Sequence, residues 1–175
     1  MNCAIAQSLD QIGDWWTLLI VREAFYGSTT FSAFQKRLGI AKNVLSDRLS
    51  HLIETEVLVR APTQPDGERE SYLLTEKGSA LLPVLVALMQ WGDKWVVGAG
   101  KAPVSLGDAR TGEKLAQIRV TTEDGRPVAL EELAISPGPG ADRAVRTRLE
   151  TAAIDRSKLA GKRPRLRRQR KSRSS

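Results

Sequence analysis

The chain has 175 residues, with 27 Lys plus Arg against 20 Asp plus Glu, one Cys and one His. A single cysteine excludes a disulfide framework and a Cys-rich zinc site, and one histidine argues against a multi-His metal centre. The formal charge of +7 is local: residues 161–175 hold eight basic and no acidic side chains, so the other 160 residues are net −1.

The apolar fraction of 41% suits a globular protein. No basic-then-apolar leader is visible over Met1–Trp16, and no apolar run reaches the ~18 residues that span a bilayer. The expectation is a soluble, cytoplasmic protein with no membrane segment, metal or cofactor. From Cys3 to Gly27 apolar residues recur at helical spacing: Ile5, Leu9, Ile12, Trp16, Leu19, Ile20 and Phe25. Gly13-Asp14 interrupts the series, which predicts two helices meeting there, the second ending at Gly27-Ser28. Ser32-Ala33-Phe34-Gln35 matches a capping box and predicts a short helix up to Leu38-Gly39.

The next helix is predicted over about Lys42 to Thr55. Leu45, Leu49 and Leu52 share one stripe, and Asn43, Ser46, Asp47, Ser50 and Glu54 lie opposite. Val57–Arg60 reads as a strand, Pro62–Arg69 as a hairpin tip and Glu70–Leu74 as the returning strand. Thr75 caps a long helix through Leu81, Leu82, Leu85, Leu88, Met89, Trp91 and Trp95, which Gly98 and Gly100 close. This order predicts a mainly α (α+β) fold, a winged helix-turn-helix in which the second helix of the pair enters the major groove of DNA.

Three blocks of residues carry a resemblance. Cys3…Leu9-Asp10…Ile12-Gly13-Asp14…Trp16-Thr17-Leu18-Leu19-Ile20…Arg22-Glu23 opens the chain. Leu38-Gly39-Ile40…Asn43-Val44-Leu45-Ser46-Asp47-Arg48-Leu49 follows. Tyr72…Leu74-Thr75-Glu76-Lys77-Gly78, with Leu81-Leu82-Pro83-Val84-Leu85…Gln90-Trp91-Gly92, completes the set. In order and spacing these resemble the HxlR-type winged helix-turn-helix regulators of bacteria over about residues 3–95. The resemblance implies a non-enzymatic transcriptional regulator that binds inverted repeats in double-stranded DNA as a homodimer, built on the first and last helices of the domain. Its effector is not legible. Ala4 and Ala41-Lys42 stand where relatives commonly have Pro and Ser-Pro.

Lys42, Asn43, Ser46 and Ser50 are the expected DNA-facing residues, because Asn pairs bidentately with adenine and Ser bonds several bases. Arg48, at the edge of the apolar stripe, either contacts phosphate or pairs with a Glu. Asp47 either accepts from cytosine or acts as a structural cap. Arg69 on the wing either meets phosphate or the minor groove, or is a solvated turn charge. His51 reads as plain surface, set apart from Cys3, so the two make no nucleophile–base pair. The four tryptophans read as core or dimer packing rather than a base-stacking platform. Cys3 is a thiol sensor in some relatives; near a helix N-terminus its thiolate would be favoured. The other reading of Cys3 is simple packing.

The boundaries expected are a winged-helix domain at 1–100, a small β-rich C-terminal extension at 101–140, a helix within 141–160 and a disordered basic tail at 161–175. The extension resembles one in relatives that carries cysteine pairs; those cysteines are absent here, so no metal is carried over. A different function class stays open beside DNA binding: a winged-helix protein-interaction or RNA-associated module, favoured by the acidic body and the acidic Asp66 and Glu68 of the wing.

Overall fold

The computed structural model describes residues 3–62, 70–98 and 100–159. They fall into two compact units, Cys3–Val128 and a second that begins at Ala129. Helices α1 (Ala4–Ile12) and α2 (Trp15–Phe25) meet at Gly13-Asp14, where the apolar periodicity breaks. The Asp14 carboxylate accepts the Trp16 and Thr17 N–H groups at 2.9 and 3.3 Å, satisfying two of the donors that open α2.

Helix α3 (Phe31–Leu38) starts one residue before the predicted capping box. Thr30, not Ser32, is the cap, and its hydroxyl accepts the Ala33 N–H at 3.2 Å. The earlier start turns Phe34 fully into the core and leaves Ser32 exposed. Gly39 closes α3 with φ 64°, a left-handed conformation that favours glycine, and donates to Gln35 O at 2.9 Å. After the turn Gly39–Ala41, helix α4 runs over Lys42–Glu54. The predicted stripe of Leu45, Leu49 and Leu52 is buried, together with Ile20, Val21, Phe34, Ile40 and Val57.

Strands β1 (Leu58–Pro62) and β2 (Glu70–Leu74) form an antiparallel ribbon with Arg60 opposite Tyr72. The Tyr72 N–H donates to Thr29 O at 2.7 Å, which fastens the ribbon to the segment ahead of α3. Thr75 caps as predicted, its hydroxyl accepting the Gly78 N–H at 3.0 Å. The single long helix expected after it is broken, however, into α5 (Glu76–Ser79) and α6 (Leu82–Gly92), with a π-helical turn over Asp93–Val97. Pro83 in the first turn of α6 explains the break, because it has no N–H to continue the ladder from α5.

Gly78 is buried against the carbonyl of Val57, where an added Cβ would come within 2.2 Å of the oxygen. Gly78→Ala is therefore expected to destabilise the domain by about 1–3 kcal/mol, as overpacking does. A shift in the urea midpoint at constant m-value would measure it.

The run Glu76–Val97 spans 22 residues and contains a window with mean hydropathy of 1.3, of which only 6% is buried. By length and composition it is long and apolar enough to cross a membrane, contrary to the expectation that no apolar run reaches that length. Its exposure has a geometric order. Val86 faces inward, and Val84, Leu88, Trp91 and Trp95 lie on the opposite side at i, i+4, i+7 and i+11.

After the π turn, residues 101–128 lie in extended and turn conformations. Gln90 clamps this segment to α6: its side-chain amide donates to Ala116 O at 3.0 Å and accepts from Ile118 N–H at 2.8 Å. The β-prone runs of the extension come down to two antiparallel bridges, Gly107–Lys114 and Thr121–Pro127, among the described residues. Most side chains here are exposed, so no buried face exists to hold a wider ladder. Asp108 and Asp124 close the two turns, and each carboxyl is held below its usual range. Backbone N–H donation from Arg110 does this at Asp108, and hydroxyl donation from Thr122 at Asp124. In the second unit, Asp142 accepts the Val145 N–H at 2.8 Å at the start of α7 (Arg143–Leu159).

Candidate nucleic-acid interface

Helices α3 and α4, joined by the Gly39–Ala41 turn, make the helix-turn-helix. Three buried leucines hold the inner face of α4. Its outer face presents Lys42, Asn43, Ser46 and Asp47 exposed, with Ser50 half-buried at the margin. Ala41 provides no side-chain cap, as its residue type predicts. The first N–H groups of α4 therefore keep their donor capacity at the end where the helix dipole is positive.

Two polar ties set the pose of α4. Arg48 Nε stands 3.3 Å from Asp14 Oδ1, an ion pair whose alignment falls short of a hydrogen bond. Of the two roles open to Arg48, the structure shows the pairing, with an aspartate in place of the expected glutamate. His51 Nε2 donates to Gln11 O at 2.9 Å. His51 is thus no plain surface residue: it joins α4 to the end of α1, while Cys3 lies on the order of 12 Å away along that helix at 1.5 Å per residue. Asp14 consequently serves as cap of α2 and as anchor of α4. The sequence signal for the tie was the Gly-Asp step, but its partner 34 residues later was not legible.

Glu23 is buried and charged. Arg22 Nη2 pairs with it at 2.7 Å and Arg37 Nη1 at 3.8 Å, which couples α2 to α3. Two cations outside the predicted set stand on the elements next to α4. Lys36 is exposed in the last turn of α3, and Arg60 on the ribbon is half-engaged, 3.4 Å from Glu70 and over the Tyr72 ring. A Lys in the turn before the Gly corner was the available signal for the first. Arg69, the predicted wing contact, and the basic tail lie outside the described residues.

Cys3 is half-buried at the N-cap of α1, its carbonyl accepting the Gln7 N–H at 3.0 Å. Helix α1 buries none of its side chains fully and exposes Ile5 and Leu9. On α6 and the π turn, Val84, Leu88, Trp91 and Trp95 are 50–66% exposed. Of the four tryptophans, Trp16 packs against the core and stacks on Trp15 at 4.0 Å, whereas Trp91 and Trp95 stand out from the body.

Residues 11–99, from the end of α1 through the π turn, match the family described as HxlR-like helix-turn-helix. The chain belongs to this family. HxlR-like relatives cover more than the winged helix. The HTH-type transcriptional regulator Rv3095 of Mycobacterium tuberculosis, itself uncharacterised, is 36% identical over 137 residues, 78% of this chain and 87% of the relative. YvaP of Bacillus subtilis, another uncharacterised HTH-type transcriptional regulator, is 35% identical over 92 residues, 51% of this chain and 84% of its own. Among solved structures, PA1607, a proposed transcription factor, superposes with a TM-score of 0.73 at 42% identity, over 78% of this chain and 96% of that one. PA1374 of Pseudomonas aeruginosa gives 0.58 at 36%, over 83% and 99%. The HxlR-like chain is thus a winged-helix member of a family of transcriptional regulators.

Proposed function

We propose that the protein is a sequence-specific DNA-binding regulator that acts as a homodimer on inverted-repeat operators. The observation that carries this reading is the pose of α4. Its inner face is locked by Leu45, Leu49 and Leu52 and tied at Arg48 and His51, while Lys42, Asn43 and Ser46 face outward. A helix so held presents side chains to base edges at low entropic cost. Asn43, Ser46 and Ser50 read bases; Lys42 and Lys36 contact phosphate and set the register. Arg48 acts one step back, by holding the helix. Arg69 adds a wing contact.

The partner subunit docks on the exposed seam of Val84, Leu88, Trp91 and Trp95 together with α1. This accounts for the apolar run Glu76–Val97 without a bilayer, since a seam repeating at i, i+4, i+7 and i+11 has coiled-coil spacing. Footprinting on a genomic fragment library tests the reading. Protection of a palindrome with half-sites about 34–36 Å apart, or a multiple of that, is expected.

A second reading rests on charge. Asp47 and Glu54 share the outer face of α4, and residues 1–100 carry eleven acidic against nine basic side chains. A protein- or RNA-interaction module fits those acids better than a duplex does. Binding to nucleic acid that depends on salt but not on sequence would favour it.

Deleting residues 161–175 is expected to weaken specific and non-specific DNA binding together. It removes eight basic charges and leaves a chain of net −1. Each phosphate neutralised contributes about −0.9 to the slope of log affinity against log salt, so the slope should shrink by several units. Base preference should persist. Identical slopes for intact and truncated protein would show that the tail never touches DNA.

A further inference from the structure

We infer that the cavity between α2 and α6 is a binding site for a compact apolar carboxylate, with Arg22 as its anchor. The cavity measures about 480 Å³, within the ~300–1,000 Å³ range of small-molecule sites. Leu18, Leu19 and Phe25 form one wall, Leu85 and Met89 the other, and Leu106 from the segment after α6 closes one side. Such walls accept an apolar body.

Two side chains with polar groups line it, Arg22 and Tyr26. The Arg22 guanidinium lies 5.8 Å from the Tyr26 ring centroid, and its Nη2 donates to Glu23 Oε1 at 2.7 Å. Its Nε–H is buried and meets no acceptor among the described residues. A buried donor left without a partner is costly. The rest of the Arg22 side chain is 39% exposed, and on turning from Glu23 its guanidinium edge offers a carboxylate two parallel N–H donors, Nε–H among them. The charge of the ligand follows from the same group. One cation in apolar walls neutralises a monoanion, whereas a dianionic phosphate would leave a charge uncompensated. Glu23 keeps a second cation, Arg37, at 3.8 Å when Arg22 turns to the ligand.

A second copy of the chain is the competing occupant. The cavity is concave between two helices of one protomer, and it lies on the Leu85–Met89 side of α6. The exposed seam of Val84, Trp91 and Trp95 lies on another side, with Leu88 on the rim between them. The site also sits where a ligand can matter. α2 reaches the helix-turn-helix through Glu23–Arg37, and α6 carries the seam, so a ligand parting α2 from α6 shifts one against the other. That consequence rests on the dimeric DNA-binding reading; ligand binding does not.

Calorimetric titration of the full-length protein with 1-naphthoate and with its neutral counterpart 1-naphthalenemethanol tests the site. Naphthoate is expected to bind once per protomer, with the alcohol weaker by about tenfold or more, a loss on the scale of one charge-assisted hydrogen bond. Arg22→Gln should bring the acid down to the affinity of the alcohol. Met89→Trp, which fills the cavity, should abolish both; Leu19→Trp from the opposite wall serves if that variant does not fold. No heat with naphthoate, equal affinity for acid and alcohol, or full binding to a filled cavity would overturn the site. So would conversion of dimer to monomer by Met89→Trp in sedimentation, because the cavity would then be part of the subunit contact. Binding of naphthoate by a protein that footprints nowhere would sustain the site and count against the regulator reading.

Discussion

Leu88→Glu combined with Trp91→Glu should yield a folded monomer that has lost most of its operator affinity. Both side chains are more than half exposed in the single chain, so exchanging them removes little packing from the protomer. Their thermal midpoint as isolated subunits should accordingly change little. In a seam the same positions would place four carboxylates in an apolar contact, where unpaired charges are costly. Sedimentation equilibrium at micromolar concentration is the direct measurement. The effect on DNA should be larger than any single contact explains. Two linked reading heads bind more tightly than one by about 10²–10⁴, because the second docks intramolecularly. A double variant that remains a dimer, or a monomer that retains full operator affinity, would place the subunit contact elsewhere.

Asn43→Ala and Ser46→Ala should each cost about 1–3 kcal/mol of discrimination if each loses a good base pairing. Stability should hold, since both residues lie on the exposed face of α4. Affinity for the cognate site should fall toward the non-specific level, while the salt slope, set by phosphate contacts, should stay the same. Lys36→Ala should do the reverse, flattening the slope by about one unit and leaving base preference intact. Wild-type preference in both α4 variants would show that another face reads the DNA.

Much of the winged helix was legible from the chain because its local signals agree with one another. The Gly-Asp step between α1 and α2, the Leu45–Leu49–Leu52 stripe, the left-handed Gly39 and the two β-prone runs flanking Asp66-Gly67 each call for one local structure. Tertiary packing rewards the same choices. The places that were misread involve competition between neighbours. Thr30 and Ser32 are both acceptable caps, and burial of Phe34 decided between them. Pro83 in an otherwise helical run is compatible with one helix or two; the loss of its N–H made it two. The β-prone runs after residue 104 had the propensity for strands but no buried face to pair on.

The sequence by itself determined the helix-turn-helix, its outward polar face, the positive surplus held by residues 161–175 and the apolar excess of the last helix, since each is a property of composition or period. Only the tertiary structure decided what holds α4 in place. The Asp14–Arg48 pair and the His51–Gln11 bond join residues 34 and 40 positions apart, and no local period encodes such a distance. It also decided which side of α6 is spare. A hydrophobic helix carries the same residues whether its faces meet the core, the following segment or a partner. The inward turn of Val86, the Gln90 clamp and the cavity beside Met89 sort those faces, and they exist only once α2, α6 and Leu106 are packed together.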